Sequence, residues 1–439
     1  MTEQPIRVVI IGGGYTGLWG YRFIKRRIGH LLNRGTVQVT VIAPKSYHSF
    51  HGWTAESLTG IISINNRQSP LRRILTGQSL LLASVVAVDL EAKTVAAQFV
   101  SDGRIEHVPY DHLLIANGSY DNMESVPGLN AHGWTVKSPG GVLATRNQLL
   151  RLLETADSMP DGAEQQGWLT VVVAGGGFAG VELAAAIAEM FHVFKPFYSV
   201  LKRQKPRIVL VHSGGQLLPV LRPQYQRLAD YCTRELEKWG IELRLNTRLS
   251  EVTADAALLS DGTPIPSKTV ICTVGQRLTV MPGTESLPRT EKGLLITDTT
   301  LHVQGQTHVW AGGDAAQVMH ISGEPCPSNA LWAIMHGKWA GENISATISG
   351  RKLKPFTYKG LGQAASMGVG KGASELYGYQ FTGWIGWFLR FFFFLYFQPS
   401  RRQAVRIFLD WLSLPFLRRY MTLSSDWKRT PESVQPTAP

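Results

Sequence analysis

Short, unbroken apolar runs that stop abruptly at glycine recur along this chain of 439 residues. Val8–Ile11 stops at Gly12, Leu113–Ala116 at Asn117-Gly118, Thr170–Ala174 at Gly175, Thr269–Val274 at Gly275, and Val309–Ala311 at Gly312. Runs of this length, rich in Val and Ile and without polar alternation, predict strands of a sheet buried on both faces. Val37–Ile42 and Arg207–Val211 are two more, and Ile241–Leu245 reads as a strand. Between them the period changes. Residues 6–28 read as strand, turn, helix. LAAAIAEM after Gly180 and the stretch Leu228–Trp239, which stops at Gly240, read as helices, and Pro70–Leu75 as a short basic helix. Leu80–Asp89 and Thr94–Val100, with turns at Asp102-Gly103 and Ser260–Thr263, predict hairpins. Residues 121–134 are rich in turn formers and read as a crossover between domains. Strands alternating with helices predict an α/β fold.

Two of the glycine stops share one spacing. Gly12-Gly13-Gly14-Tyr15-Thr16-Gly17 and Gly175-Gly176-Gly177-Phe178-Ala179-Gly180 are both G-x-G-x-x-G between a strand and a helix. The first glycine makes the tight turn, the second lets a pyrophosphate approach the backbone, and the third lets the helix pack on the strand. The helix N-terminus then offers unpaired N–H groups to phosphate. One such motif is weak, but two predict two dinucleotide-binding units. A third stop, Gly312-Gly313-Asp314, adds an acid, either a ligand for a cofactor hydroxyl, with the following helix start facing phosphate, or a helix cap. The acid that usually ends the partner strand and binds a ribose is missing twice. Ala43, Pro44 and Lys45 stand at the first position, and His212 and Ser213, with Arg222 nearby, at the second. His48, His51 and Trp53 lie either beside a cofactor or in a polar loop with an aromatic anchor. Glu182, just past the second motif, is either a site acid or a helix-start acid favoured by the dipole.

Composition narrows the partners. The net charge of +12 suits an anionic partner, but no nucleic-acid motif accompanies it. The 3 cysteines, Cys232, Cys272 and Cys326, form no CxxC. That argues against a disulfide framework, a zinc or other metal site, and a redox dithiol, and favours a cytoplasmic chain with reduced thiols. The N-terminus enters a strand directly and reads as carrying no secretory signal. The tail changes character. Phe381–Phe397 is intensely aromatic, is interrupted by Arg390, and falls short of the ~20 apolar residues that span a bilayer. Arg401, Arg402, Arg406, Arg418 and Arg419 follow. Aromatic and basic side chains together predict that residues 381–419 lie on an anionic membrane surface; the competing reading is a core or dimer-interface helix. Because the strand–turn–helix units precede residue 350, a chain ending near Lys354 is expected to stay folded and keep its cofactor.

Taken together, GGGYTG, YHSF, YDHLLIANGS, GGGFAGVE, TVICTVGQR, AGGDAA and the aromatic-basic tail resemble the type II NADH dehydrogenases, over residues 6 to about 420. The resemblance implies two Rossmann-like dinucleotide-binding domains with a C-terminal membrane-associating helical segment. Residues 1–120 with 285–350 would hold non-covalent FAD, 121–284 would hold NAD(P)H, and 351–439 would meet the membrane. It implies hydride transfer to flavin and electron transfer to a membrane quinone without proton pumping. It also implies a peripheral, monotopic place on the cytoplasmic face of the inner or plasma membrane, and a possible homodimer. The cofactor-binding candidates are Gly12, Gly13, Gly14, Tyr15, Thr16, Gly17, Lys45, His48, Asn117, Gly118, Gly313, Asp314, Gly175, Gly177, Phe178, Ala179, Gly180, His212 and Gly275. Glu182 is the catalytic candidate, near the nicotinamide–quinone side. The segment Asn329–Gly337 lies where the family carries Ala-Gln-x-x-x-Gln; Leu331 and Met335 replace both glutamines, which makes Ala330, Leu331, Trp332 and Met335 the acceptor-site candidates. Asn117 stands where Thr is usual. These departures leave room for a flavoprotein with another donor or acceptor, or a non-catalytic nucleotide-binding protein at a membrane. Sulfide:quinone chemistry would need a cysteine pair beside the flavin.

Overall fold

The computed structural model describes residues 4–76, 79–417, 419 and 421–423. Arg418 and the polar tail from residue 424 lie outside them. The central sheet has seven strands in the order Val309–Ala311, His112–Ile115, Ile6–Ile11, Val37–Ala43, Leu80–Asp89, Thr94–Phe99 and Ile105–Pro109. The first five run parallel, with Val8 beside Val39 and Ile10 beside both Val41 and Leu114. Val8–Ile11 is buried throughout because the sheet is covered on both faces. The helices Tyr15–Asn33 and Ala330–Ile348 pack together on one side. They touch backbone to backbone: a Cβ at Gly337 would meet Thr16 O at 2.3 Å, and one at Gly341 would meet Gly20 O at 2.4 Å.

A second sheet, all parallel, has four strands in the order Glu242–Arg244, Arg207–Val211, Thr170–Ala174 and Thr269–Cys272. Helices Pro139–Ser158 and Phe178–Phe194 contribute to its core. The chain passes between the two sheets twice, and the passages pair as an antiparallel ribbon, Ser119–Asp121 with Gln276–Leu278. The first sheet is thus assembled from both sides of the second in sequence.

Some elements differ from their expected bounds. The helix expected from Leu228 begins at Arg222, with Pro223 in its first turn, and ends at Gly240 (φ +73°) as expected. The strand expected at Ile241–Leu245 is only Glu242–Arg244. No α-helix follows the third glycine stop. Gly313–Ala315 is a single 3-10 turn leading into Ala316–Gln317, and the next helix starts at Ala330 with Asn329 capping it. The phosphate-facing helix start expected after Asp314 is therefore absent.

The C-terminal region folds as a three-stranded sheet, Gly362–Ser366, Gly372–Leu376 and Tyr379–Thr382, then helices Gly383–Phe397 and Arg401–Ser413. The first helix has two apolar faces. Trp387 and Phe391 point inward, their rings stacked at 5.7 Å, with Trp411 edge-on to Trp387 at 4.8 Å. Trp384, Ile385, Phe388, Phe392 and Tyr396 point outward and are exposed. Val405, Phe408, Leu409 and Leu412 are exposed on the second helix, beside exposed Arg401, Arg402 and Arg406. Two expectations are corrected here. Arg390, expected within a segment lying in the membrane interface, instead turns inward; its side chain is 2% exposed and ion-paired inside the protein. Arg419 is not free for head groups either, since it pairs with Glu189. The expectation that the tail is dispensable for folding fails with them, because the helix Gly383–Phe397 is part of the main core. Deleting the Trp387 ring should cost about 3–5 kcal/mol of stability, the usual range for a buried aromatic changed to alanine. Urea unfolding of Trp387→Ala measures it, and an unchanged midpoint would show that this face is not core.

Candidate functional site

Each glycine of the two motifs can be assigned its task by what a side chain would meet there. Gly12 (φ +110°) and Gly175 (φ +126°) make the turn, and a Cβ would strike Ala116 O and Thr273 Oγ1, each at 2.3 Å. Gly17 and Gly180 carry the close helix–strand contact, and a Cβ would lie 1.9 Å and 1.8 Å from the carbonyl oxygens of Gly12 and Gly175. Gly14 and Gly177 face open space, with nothing within 4 Å. They are also the N-caps of the two helices, neither start has a side-chain cap, and neither first turn holds an acid. Both helix starts therefore present uncommitted N–H groups over an open space, the arrangement that receives a phosphate anion.

One cavity of about 620 Å3 joins these parts. Gly12, Gly13, Gly14, Tyr15 and Thr16 line it, as do Lys45, His48, Asn117, Gly118, Gly313 and Asp314. From the second unit come Phe178, Ala179, Glu182 and Gly275. Gly17, Gly175, Gly177, Gly180 and His212 lie outside its wall. His212 packs under the second glycine turn, where its Nδ1 accepts from Gly176 N–H at 3.3 Å. Arg222 is committed to Asp230 and to Leu217 O. Of the acceptor-site candidates only Ala330 lines the cavity. Leu331 and Trp332 are buried and Met335 is half-buried in packing, with Trp332 against Tyr358 at 5.0 Å. Of the loop residues His48 and His51 line the cavity, while Trp53 is fully buried against Phe391 and Phe394.

The cavity's electrostatics were only partly readable beforehand. His48 Nδ1 donates to Gly13 O at 3.2 Å, and burial lowers its pKa to about 4, so the imidazole is neutral. Asp314 accepts from Ser119 Oγ and Ser328 Oγ, each at 2.6 Å, and Lys137 Nζ donates to Ser119 Oγ at 2.8 Å. Burial raises the Asp121 carboxyl to about 6 in the same polar cluster, against the pull of Lys137. At the other end Glu182 Oε1 accepts from Ser366 N–H at 2.8 Å and lies 2.9 Å from Arg390 Nε. Arg390 Nη1 donates to Glu56 Oε1 at 2.5 Å and Nη2 to Gly52 O at 3.0 Å. The Glu182 contact is an ion pair without an aligned hydrogen bond, which leaves Arg390 Nε unsatisfied. Burial opposes the Arg390 charge, yet the two carboxylates outweigh it and raise its pKa. Burial raises Glu182 to about 7; Glu56 adds to this, and Arg390 and the Ser366 N–H hold it back. Glu182 sits beyond the helix's first turn, so Arg390 rather than the helix dipole is its partner.

Glu56, Arg390, Lys137 and Asp121 went unassigned in the sequence. Arg390 alone left a signal, as the one charge in an aromatic helix, because such a charge is stable only when paired. Glu56, Lys137 and Asp121 sit in ordinary polar contexts and left none.

A cavity joining two glycine-turn nucleotide folds marks a protein of the two-dinucleotide-fold class. The chain belongs to the pyridine nucleotide-disulphide oxidoreductase family, which matches residues 6–337. It is 28% identical to the type II NADH:quinone oxidoreductase Ndh of Mycobacterium tuberculosis, over 93% of this chain and 89% of that one. It is 26% identical to the demethylphylloquinone reductase NdbB of Synechocystis, over 94% and 98%. Its fold matches that of NDH2 from Plasmodium falciparum with a TM-score of 0.83 at 18% identity, covering 94% of this chain and 99% of that one. The resemblance to type II NADH dehydrogenases thus holds along nearly the whole chain, and the protein is an oxidoreductase. Its three cysteines are free, so the disulphide of the family's name has no counterpart among them.

The raised pKa of Glu182 has a consequence for stability. The folded protein holds this proton where the unfolded chain would release it. The contribution is complete below the ordinary value of 4.5 and is lost as pH rises through about 7. Thermal melts across that range should show Tm falling with pH, and Glu182→Gln should flatten the slope. An unaltered slope would place the titration elsewhere.

Proposed function

We propose that this protein passes a hydride from NAD(P)H to a non-covalently held FAD and electrons onward to a membrane quinone. The observation that carries the reading is the single cavity running from the first glycine turn to Phe178, Ala179 and Glu182 of the second unit. The residues present fit FAD. The open face of Gly14 and the uncapped helix start leave room and donors for a pyrophosphate, Gly118 likewise has nothing within 4 Å of its Cβ direction, and Asp314 reaches the cavity wall. In this reading residues 1–120 with 285–350 hold FAD and 121–284 hold NAD(P)H. The flavin supplies the two-electron chemistry; the protein orients donor and acceptor and sets the charges around them. Glu182, near half-protonation at neutral pH, can give or take a proton at its Oε atoms on the second-unit side. Tyr15, His48 and His51 form an aromatic wall, with Tyr15 and His48 rings edge-on at 4.6 Å. That wall restricts water on the flavin side.

The absence of an acid at His212, in the unit assigned to NAD(P)H, removes the group that would reject a 2′-phosphate or secure a free ribose. NADH and NADPH are therefore both admitted as donors. On the acceptor side Ala330 lines the cavity, and its small apolar side chain is compatible with a quinone. Among the described residues no helix is long and apolar enough to cross a membrane. The outward faces of Gly383–Phe397 and Arg401–Ser413, with Arg401, Arg402 and Arg406, fit a peripheral seat on an anionic leaflet. A divergent flavoprotein with another acceptor is the second reading, favoured by the missing glutamines.

The purified protein should be yellow and bleach on anaerobic mixing with NADH or NADPH. Gly14→Val should fold yet be largely colourless, because its methyl groups fill the pyrophosphate's approach. Full flavin content in that variant would overturn the assignment. Phe388→Ser with Phe392→Ser, both on the outer face, should keep the flavin but lose sedimentation with anionic liposomes. Undiminished sedimentation would remove the membrane seat from this face.

A further inference from the structure

The segment Gly52–Ser57, on one side of the cavity, is gripped by two buried arginines. Arg390 holds Gly52 O and Glu56 and is matched by two carboxylates. The other, Arg67, ends the 3-10 turn Ile64–Arg67 and is 0% exposed. Its Nη1 donates to Thr54 Oγ1 at 2.9 Å and to Ser57 Oγ at 3.3 Å, while Nε and Nη2 have no hydrogen-bond partner. Among the described residues no carboxylate pairs with it. A buried guanidinium without an acid is costly, so its place calls for a reason.

The surroundings leave its charge unanswered. Thr54 Oγ1 donates to His51 O at 2.8 Å and Ser57 Oγ donates to Thr54 O at 3.1 Å. Both hydroxyl protons are thus committed, and only lone pairs face the guanidinium. Burial raises the pKa of the neighbouring phenols Tyr15 and Tyr47, so they stay neutral. Burial, then Arg67 and Lys137, push His51 well below its ordinary range, so it adds no charge. Burial lowers Arg67 itself only to about 10, and it remains a cation at neutral pH. Thr54, His51, Tyr15 and Tyr47 all line the cavity. Arg67 therefore stands one hydrogen bond behind the wall, with neutral groups between it and the occupant.

We infer that Arg67 is a positioning residue whose unpaired charge makes the cavity favour an anionic occupant, and so raises the reduction potential of the flavin held there. The inference rests on the flavin reading of the cavity. Hydride uptake brings in two electrons and one proton, the donor leaves oxidised, and one negative charge stays behind. In a site shielded from water, a fixed cation stabilises that charge without reorganisation.

The test is the midpoint potential of the bound flavin, measured by equilibration with redox dyes. Arg67→Met should weaken the reduction equilibrium at least tenfold, a negative shift of about 30 mV for a two-electron couple. Arg67→Lys should restore most of it. A yellow Arg67→Met protein with an unchanged potential overturns the inference. A second measurement needs no variant. Across pH 8–9, above the titration of Glu182 and Asp121 on the same wall, the wild-type potential should fall by about 30 mV per pH unit, as one proton per two electrons requires; about 60 mV per unit, two protons, overturns it even if Arg67→Met does not fold. Wild-type protein without flavin would overturn the cofactor reading itself, a separate failure.

Discussion

Arg390 ties the C-terminal helix Gly383–Phe397 by charge to two distant parts of the chain. Its guanidinium reaches Glu56 on the short helix Thr54–Leu58, Glu182 on the helix of the second glycine motif, and the carbonyl of Gly52. Withdrawing such ions from water costs several kcal/mol each, and mutual pairing offsets this only when the geometry is good. The pairing therefore admits few arrangements. With Arg390 seated, the helix Gly383–Phe397 can turn about its axis very little, which decides which aromatic rings enter the core and which face outward. It also places a carboxyl with a raised pKa on the cavity wall, on the second unit's side.

The glycine motifs impose a different constraint, one of distance. In both units the third glycine lets its helix sit against the first glycine's carbonyl, and the second leaves open space above an uncapped helix start. The duplication has a chemical sense. Two anion-receiving helix starts belong to units that share one cavity wall, so two dinucleotides can bring their reactive ends together there. The polar cluster of Asp314, Ser119, Lys137 and Asp121 and the ion cluster of Glu56, Arg390 and Glu182 both reach that cavity. Charge control is thus present on either side of the proposed reaction space.

The two-faced helix links this chemistry to a surface. The same fifteen residues that carry Arg390 inward carry Trp384, Phe388 and Phe392 outward. An element that both completes the core and presents an apolar, cation-flanked face holds the acid cluster at a fixed depth beneath that face. In the proposed reading, a quinone arriving from lipid would then meet a site already charged and aligned. For the same reason the C-terminal region cannot be regarded as an appended anchor.

Much of the fold was legible in the chain because its determinants are local. Apolar runs ending at glycine marked the strands, and G-x-G-x-x-G marked both nucleotide turns, since the steric demands there involve residues a few positions apart or the next strand. Gly14 and Asp314 could be proposed on that basis, and Tyr15, Asn117, Phe178 and Glu182 with the help of the family resemblance; all of them line one cavity. The remainder depends on contacts across hundreds of residues. Arg390 pairs with Glu56 from 334 positions away, and nothing in an aromatic run says which carboxylate will meet its one cation. Leu331, Trp332 and Met335 occupy the expected segment, but the rotation of their helix, set by its glycine contacts with Tyr15–Asn33, turns them into packing. Arg67 was invisible for the same reason. Sequence by itself determined where strands, turns and anion-receiving helix starts form, because short-range sterics and periodicity decide them. Only the tertiary structure decided which charges are buried together and which are left alone, because burial and pairing are properties of the assembled interior.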